Sequence, residues 1–386
     1  MKQIDYESEP EALFEGIDKE KYIIGIYYLA LKREWSADKI AKAIAIEQST
    51  GTWVPVPGET PEVRREHVAK VLGVYEIPFH EFEVPGDVKE RQYIITIGFP
   101  WVNFGPQFPM MLSTVVGNIS LGGKIKLLDL WFPKSFIKEF SGPKFGIEGV
   151  RKILGVEKRP LLNNMIKPCT GYPPEMGAKL FYEVAKGGVD IVKDDELLAD
   201  APFNKVEERI VKYMEMADKA YEETGEKTLY AINITDRVPK ILENAEKVIE
   251  LGANMIMVNY LTVGISALRE LAEDPSIKVP IMSHMDFAGA LYISPYSGIA
   301  SPLVLGKFAR LAGADVVVYP APYGKAPYLK ERYIQVAKHL RYPMENIKQS
   351  FPMPSGGITV THLPDLFKDL GYDIVIGCLL YTSPSP

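Results

Sequence analysis

From residue 160 onward, short apolar runs rich in β-branched residues alternate with longer stretches whose apolar positions recur with a helical period. The short runs fall at 161–166, 189–192, 228–234, 254–260, 279–283, 315–319, 349–352 and 373–376, and each predicts a strand. The segments between them, such as 174–186, 206–224 and 239–251, have the length and spacing of helices. Gly187-Gly188, Gly252, Gly313 and Gly371 stand where a helix must stop before the next strand begins. Eight such units predict a parallel barrel, although a doubly wound open sheet shares the same alternation.

The earlier part of the chain has a different rhythm. Residues 22–28 and 92–97 are β-branched and aromatic, whereas 36–46 has helical spacing and a Ser36 N-cap. A Pro- and Gly-containing stretch at 132–143 predicts the connection between two domains. The expected fold class is therefore α/β: an N-terminal α+β domain over 1–145, then a (β/α)8 TIM barrel over 146–377. The barrel is expected to be truncated at strand eight, with 378–386 a foreign tail that carries Cys378.

Composition narrows the function classes. With 47% hydrophobic and 24% charged residues, the 386-residue chain reads as an ordinary globular protein. No apolar run is long enough to span a bilayer, and the acidic, polar start lacks the layout of a secretory signal, so a cytoplasmic location with no membrane partner is expected. Two cysteines exclude a disulfide framework. A net charge of -6 without a basic run argues against nucleic acid but leaves room for a local pocket that takes one phosphorylated metabolite.

Reactive residues cluster after the expected strands. Lys167 follows the first; Lys193, Asp195 and Glu196 follow the second; Asn233, Asn259 and His284 end the third, fourth and fifth. Lys325 and Ser355 follow the sixth and seventh. In a parallel barrel all these ends share one rim, where barrel enzymes hold their sites. Within Lys193-Asp194-Asp195-Glu196, two carboxylates suit Mg2+, and a deprotonated lysine amine that adds CO2 becomes a carbamate ligand. On spacing alone, the three acids equally suit the start of the following helix. Thr52-Trp53 and Ser355-Gly356-Gly357 offer hydroxyls and backbone amides to a phosphate, yet each is also an ordinary turn. Lys325 adds a cation or is a solvated loop lysine, and His284 is catalytic or simply a hydrogen-bonded strand-end histidine.

Taken in order, Glu47-Gln48-Ser49-Thr50-Gly51-Thr52-Trp53, Gly117-Asn118, Ile166-Lys167-Pro168, the 187–196 segment, Gly324-Lys325 and Ser355-Gly356-Gly357 form a recognisable set. The set resembles the motifs of the RuBisCO large-chain superfamily over roughly residues 22–377. The resemblance implies that Lys193 is carbamylated by CO2 and binds Mg2+ with Asp195 and Glu196. It implies that Lys167 handles the substrate's enolisable proton and that Lys193, Lys325 and His284 complete the catalytic set. Thr52, Trp53, Lys325 and Gly357 are expected to bind a phosphate, with Ser355 and Gly356 in the same turn and Glu47 paired to Lys325. A homodimer is implied, in which Glu47, Thr52, Trp53 and Asn118 of one subunit complete the barrel mouth of another.

Several positions depart from the carboxylases of that superfamily. Cys169 replaces the second lysine of a Lys-x-Lys pair, Ser283-His284-Met285-Asp286 lacks the arginine for a second phosphate, and Val318 stands in place of a histidine. Losing one positioned donor typically costs about 10²–10³ in rate, so productive CO2 fixation is not expected. The chain is thus similar to the non-carboxylating RuBisCO-like proteins of form IV type. The expected activity is enolisation, isomerisation or decarboxylation of a monophosphorylated keto-sugar or keto-acid. Relatives that enolise a diketo methylthio-pentane phosphate generally carry lysine where this chain has Asn118, which sets it apart from that exact reaction. A Schiff-base aldolase using Lys167 or Lys193, and a barrel that binds a metabolite without turnover, are the competing readings.

Overall fold

The computed structural model describes residues 10–52, 54, 56–324, 326 and 328–377. Trp53, Lys325 and the expected tail with Cys378 lie outside the described residues. The chain divides into two units, one of residues 1–140 with 289–303, the other of 141–288 with 304–386.

The first unit is built on a mixed sheet of five strands. Strands β1 (Tyr22–Lys32), β2 (Lys70–Ile77), β3 (Glu90–Pro100) and β4 (Ile125–Trp131) are joined by a short β10 (Gly298–Ile299), in the order β10-β4-β1-β3-β2. The aromatic and β-branched β1 runs antiparallel to both β3 and β4, while β10 is parallel to β4. The expected helix appears as Ala37–Glu47, and the Ser36 hydroxyl caps it by accepting the Lys39 N–H at 3.4 Å. Its Ala37, Ala41, Ile44 and Ala45 are buried, an apolar stripe spaced for one helix face. The two units divide at 140/141, and 289–303 leaves the barrel's sequence to supply β10 to the first unit.

The second unit is a closed barrel of eight parallel strands. They are β5 (Leu161–Met165), β6 (Ile191–Lys193), β7 (Leu229–Asn233), β8 (Met255–Val258), β9 (Ile281–Ser283), β11 (Val316–Pro320), β12 (Phe351–Ser355) and β13 (Val375–Gly377). Every strand expected from the sequence overlaps one of these, which settles the barrel against the open sheet. Helices Pro174–Lys186, Val206–Thr224 and Val238–Glu250 fall where the apolar period placed them. Leu161, Ile191, Leu229, Met255, Val316, Phe351 and Val375 pack into one apolar cluster with Ile147, Val150 and Leu154 of the helix Gly146–Leu154.

Asp315, immediately before β11, fixes that helix to the barrel. Its fully buried carboxylate accepts the N–H groups of Phe145 at 2.8 Å, Gly146 at 2.7 Å and Ile281 at 2.8 Å. One side chain thereby satisfies the open N-terminus of a helix and the start of β9. Asp315→Ala leaves three buried donors unpaired and is expected to cost the barrel unit about 3 kcal/mol. Urea unfolding checks this, and a loss below about 1 kcal/mol would show that the three donors find other acceptors.

Candidate active site

Alternation along β6 organises the site. Consecutive residues at a strand end face opposite sides, and here Lys193, Asp194 and Asp195 are each 1% exposed or less. Asp194 is committed to a buried network. Its Oδ1 accepts the Tyr230 hydroxyl at 2.6 Å, and its Oδ2 accepts the Asn233 N–H at 2.9 Å and pairs with Arg209 Nη2 at 3.1 Å. Arg209, itself fully buried, also donates to the Asn204 and Ala199 carbonyls.

The two neighbours of Asp194 meet the other expected residues. Lys193 Nζ donates to the Asp194 carbonyl at 2.8 Å and to Glu196 Oε2 at 3.2 Å. Lys167 Nζ, from the loop after β5, donates to Asp195 Oδ2 at 2.5 Å and to Cys169 Sγ at 3.0 Å. His284, just past β9, places Nε2 3.4 Å from Glu196 Oε2 and Nδ1 3.6 Å from Asp286 Oδ1. Five of the expected residues, Lys167, Lys193, Asp195, Glu196 and His284, thus form one connected cluster at the strand ends. The helix-start reading of the three acids fails, because the chain turns at 196–197 without forming a helix and the next helix begins only at Val206.

Charge balance follows from this packing. Burial works against the Glu196 carboxylate, but the adjacent Lys193 and His284 and the local hydrogen bonds outweigh it and hold its pKa at about 2. Burial, reinforced by the Lys193 charge, pushes the His284 ring well below the usual imidazole range. Burial would lower Lys167, yet its bonds to Asp195 and Cys169 prevail and keep its ammonium above the ordinary lysine range. Among the described residues no three His, Cys, Asp or Glu side chains converge as a ready metal site. Asp195 and Glu196 supply two carboxylates, and Lys193 is the neighbouring nitrogen.

The phosphate-binding expectations divide by unit. In the barrel, Gly356 and Gly357 follow Ser355 with φ of 98° and 67°, a left-handed backbone that glycine adopts without strain. A Cβ on Gly357 would collide with the Tyr323 carbonyl oxygen, and one on Gly324 would lie 2.9 Å from Gly356, so the two loops approach each other more closely than a side chain at either glycine allows. In the first unit, Asn118 Nδ2 donates to Glu47 Oε1 at 3.3 Å, both residues being exposed. The Thr52 hydroxyl donates to Glu59, whose other oxygen pairs with the fully buried Arg64 at 2.6 Å. The Thr52 proton is therefore engaged within the protein.

Sequence reading missed three features. The Asp194–Arg209–Tyr230 network joins residues too far apart in sequence to be matched without the fold, and the Glu59–Arg64 pair depends on how the loop at 59–60 enters the following helix, which spacing alone does not give. Asn163, at 1% exposure on β5, has both amide atoms buried without hydrogen-bond partners. Its only sequence signal is the Asn163-Asn164 pair inside an otherwise apolar run.

Comparison with known proteins places the whole architecture. Residues 146–378 match the family described as ribulose bisphosphate carboxylase large chain, catalytic domain, and residues 15–136 match its N-terminal domain. A "Ribulose bisphosphate carboxylase-like protein" of Archaeoglobus fulgidus is 63% identical over 96% of this chain and 85% of its own length. A "2,3-diketo-5-methylthiopentyl-1-phosphate enolase" of Geobacillus thermodenitrificans is 38% identical over 88% of this chain and 82% of its own. Among solved structures, a rubisco-like protein (MtnW) from Alicyclobacillus acidocaldarius superposes with a TM-score of 0.85 at 35% identity, covering 92% of this chain and 88% of its own.

The depressed His284 pKa has a measurable consequence. The ring stays neutral in the fold while a solvated histidine of pKa 6.5 takes up a proton, so the stabilising contribution is complete above pH 6.5 and is lost as pH falls below it. NMR of ring-labelled protein is expected to show no His284 titration between about pH 5 and 8. A midpoint near 6.5 would mean that solvent reaches the ring.

Proposed function

The chain belongs to the RuBisCO large-chain family, and on that premise we propose that it is an Mg2+-dependent RuBisCO-like enzyme that removes the proton α to the carbonyl of a monophosphorylated keto compound. The observation that carries the reading is the contact between Lys167 and Asp195 at 2.5 Å, which joins a proton-handling lysine directly to a metal-ligating carboxylate. The relatives named as 2,3-diketo-5-methylthiopentyl-1-phosphate enolases support the enolising class. Isomerisation or decarboxylation would draw on the same enolate.

The donor set fits a divalent cation if Lys193 is carbamylated. Two carboxylates fall short of the oxygen donors such an ion prefers, and a carbamate on Lys193 Nζ, 3.2 Å from Glu196 Oε2, adds a third ligand. Mg2+ held by Lys193, Asp195 and Glu196 would polarise the substrate carbonyl and so acidify the adjacent C–H. Lys167 is protonated while it is paired with Asp195. Release from that carboxylate leaves burial as the dominant influence and brings the amine towards the range of a base. His284, neutral and 3.4 Å from Glu196, orients that carboxylate and offers a hydrogen bond at the mouth. Gly356 and Gly357 present a backbone turn suited to a single phosphate.

Asp286 stands 3.6 Å from His284, so a negative charge occupies this part of the mouth. A second phosphate there meets repulsion, which favours monophosphates over bisphosphates. The Schiff-base alternative would use Lys167 or Lys193 as a neutral nucleophilic amine and would need no metal. The homodimer, with Glu47, Thr52, Trp53 and Asn118 of one subunit serving another's barrel, is proposed on the family's layout.

The test is solvent exchange. In D2O with Mg2+ and bicarbonate, 2,3-diketo-5-methylthiopentyl 1-phosphate and monophosphorylated ketoses are followed by NMR for replacement of the α-proton. At least one is expected to exchange, and Lys167→Ala is expected to slow it by about 10²–10⁴. Chelation or Lys193→Ala should abolish exchange, with Mg2+ and bicarbonate restoring only the chelated protein. Exchange that persists in Lys193→Ala, or none with any of these substrates, counts against the proposal.

A further inference from the structure

The turn that carries Asp195 and Glu196 belongs to neither a helix nor a strand, yet two side-chain amides grip it. Asn233, the last residue of β7, directs Nδ2 to the Asp195 carbonyl at 3.4 Å and the Glu196 carbonyl at 3.2 Å. Asn259, just past β8, donates Nδ2 to the same Glu196 carbonyl at 3.0 Å. The orientation of the first amide follows from its neighbours. Asn233 Oδ1 accepts the Thr235 N–H at 3.1 Å and its hydroxyl at 2.6 Å, which leaves Nδ2 as the group that meets the carbonyls. Thr235 Oγ1 in turn accepts the Asn259 N–H at 2.9 Å, so the ends of β7 and β8 form one linked bracket.

Building on the metal site proposed above, we infer that Asn233 and Asn259 are positioning residues that aim the Glu196 carboxylate into the barrel mouth by holding its own carbonyl. A carboxylate on an unanchored turn spreads over many orientations. Fixing the backbone leaves only its side-chain torsions, and His284 and Lys193 then select among those. Groups that orient ligands in this way commonly matter nearly as much as the ligands.

Folding alone does not account for Asn259. Its Oδ1 is buried and lacks a hydrogen-bond partner, an arrangement that costs stability and that an apolar residue of equal volume removes. A purely structural residue at this place would serve better as leucine. The amide is retained where its one productive bond reaches the residue expected to bind metal.

The experiment measures Mn2+ affinity by EPR in the presence of bicarbonate, on the full chain and on Asn259→Leu, Asn233→Leu and Thr235→Val, with melting temperatures alongside. The two leucine variants are expected to weaken Mn2+ binding by about 10–100-fold, with the melting temperature of Asn259→Leu equal or higher. Thr235→Val, which touches no carbonyl of the turn, should show a smaller loss in the same direction. Unchanged affinity in folded leucine variants overturns the inference, as does a fall in melting temperature without a fall in affinity. Should neither leucine variant fold, Thr235→Val decides, and unchanged affinity there overturns it equally. If the unaltered protein binds no Mn2+, the proposed metal site falls and the inference falls with it.

Discussion

A buried carboxylate must be paired, and the pairing of Asp194 fixes how its neighbours Lys193 and Asp195 meet the barrel mouth. Its two oxygens are bound to Tyr230 and the Asn233 N–H of the neighbouring strand β7 and to Arg209 of the helix Val206–Thr224. Breaking a buried pair of this kind typically costs about 3–5 kcal/mol, so Asp194 has no easy alternative orientation. With that residue turned outward, strand alternation obliges Lys193 and Asp195 to point inward. The chemistry of the mouth is therefore set by a residue that takes no part in it.

The eight strands were legible because each apolar run is short and bounded, and helices such as Pro174–Lys186, Val206–Thr224 and Val238–Glu250 have a clean period. Residues 161–166 and 316–320 show the two sides of that success. The first was read from its apolar ends despite Asn163 and Asn164 in its middle; the second, Val316–Pro320, is apolar throughout. The cluster of Lys167, Lys193, Asp195, Glu196 and His284 was legible for a topological reason, since parallel strands bring their ends together whatever lies between. The hydrogen bond from Thr52 to Glu59, seven residues later, was not legible, because local spacing carries no information about that loop's return.

The excursion at 289–303 was illegible for a related reason. A two-residue strand, Gly298–Ile299, has too few positions to show any period, and its partner Lys126-Leu127 lies far away in sequence. Asp315 was visible only as the polar first residue of an apolar run. Its value comes from three backbone donors contributed by two other segments, which no pattern within 315–319 encodes. Side chains that face the strand's own alternation can be read from sequence, whereas those that serve another segment's backbone cannot.

The route of the chain through β10 has a consequence for inheritance. The first unit is not a single stretch of sequence, because a segment encoded between the fifth and sixth barrel strands completes its sheet. Recombination at one crossover near residue 140 would deliver a first unit whose β4 faces a β10 from a different parent. Two distant stretches of the gene therefore build one sheet, and Lys126 and Leu127 have their strand neighbours at 298–299, outside the first unit's main stretch of sequence.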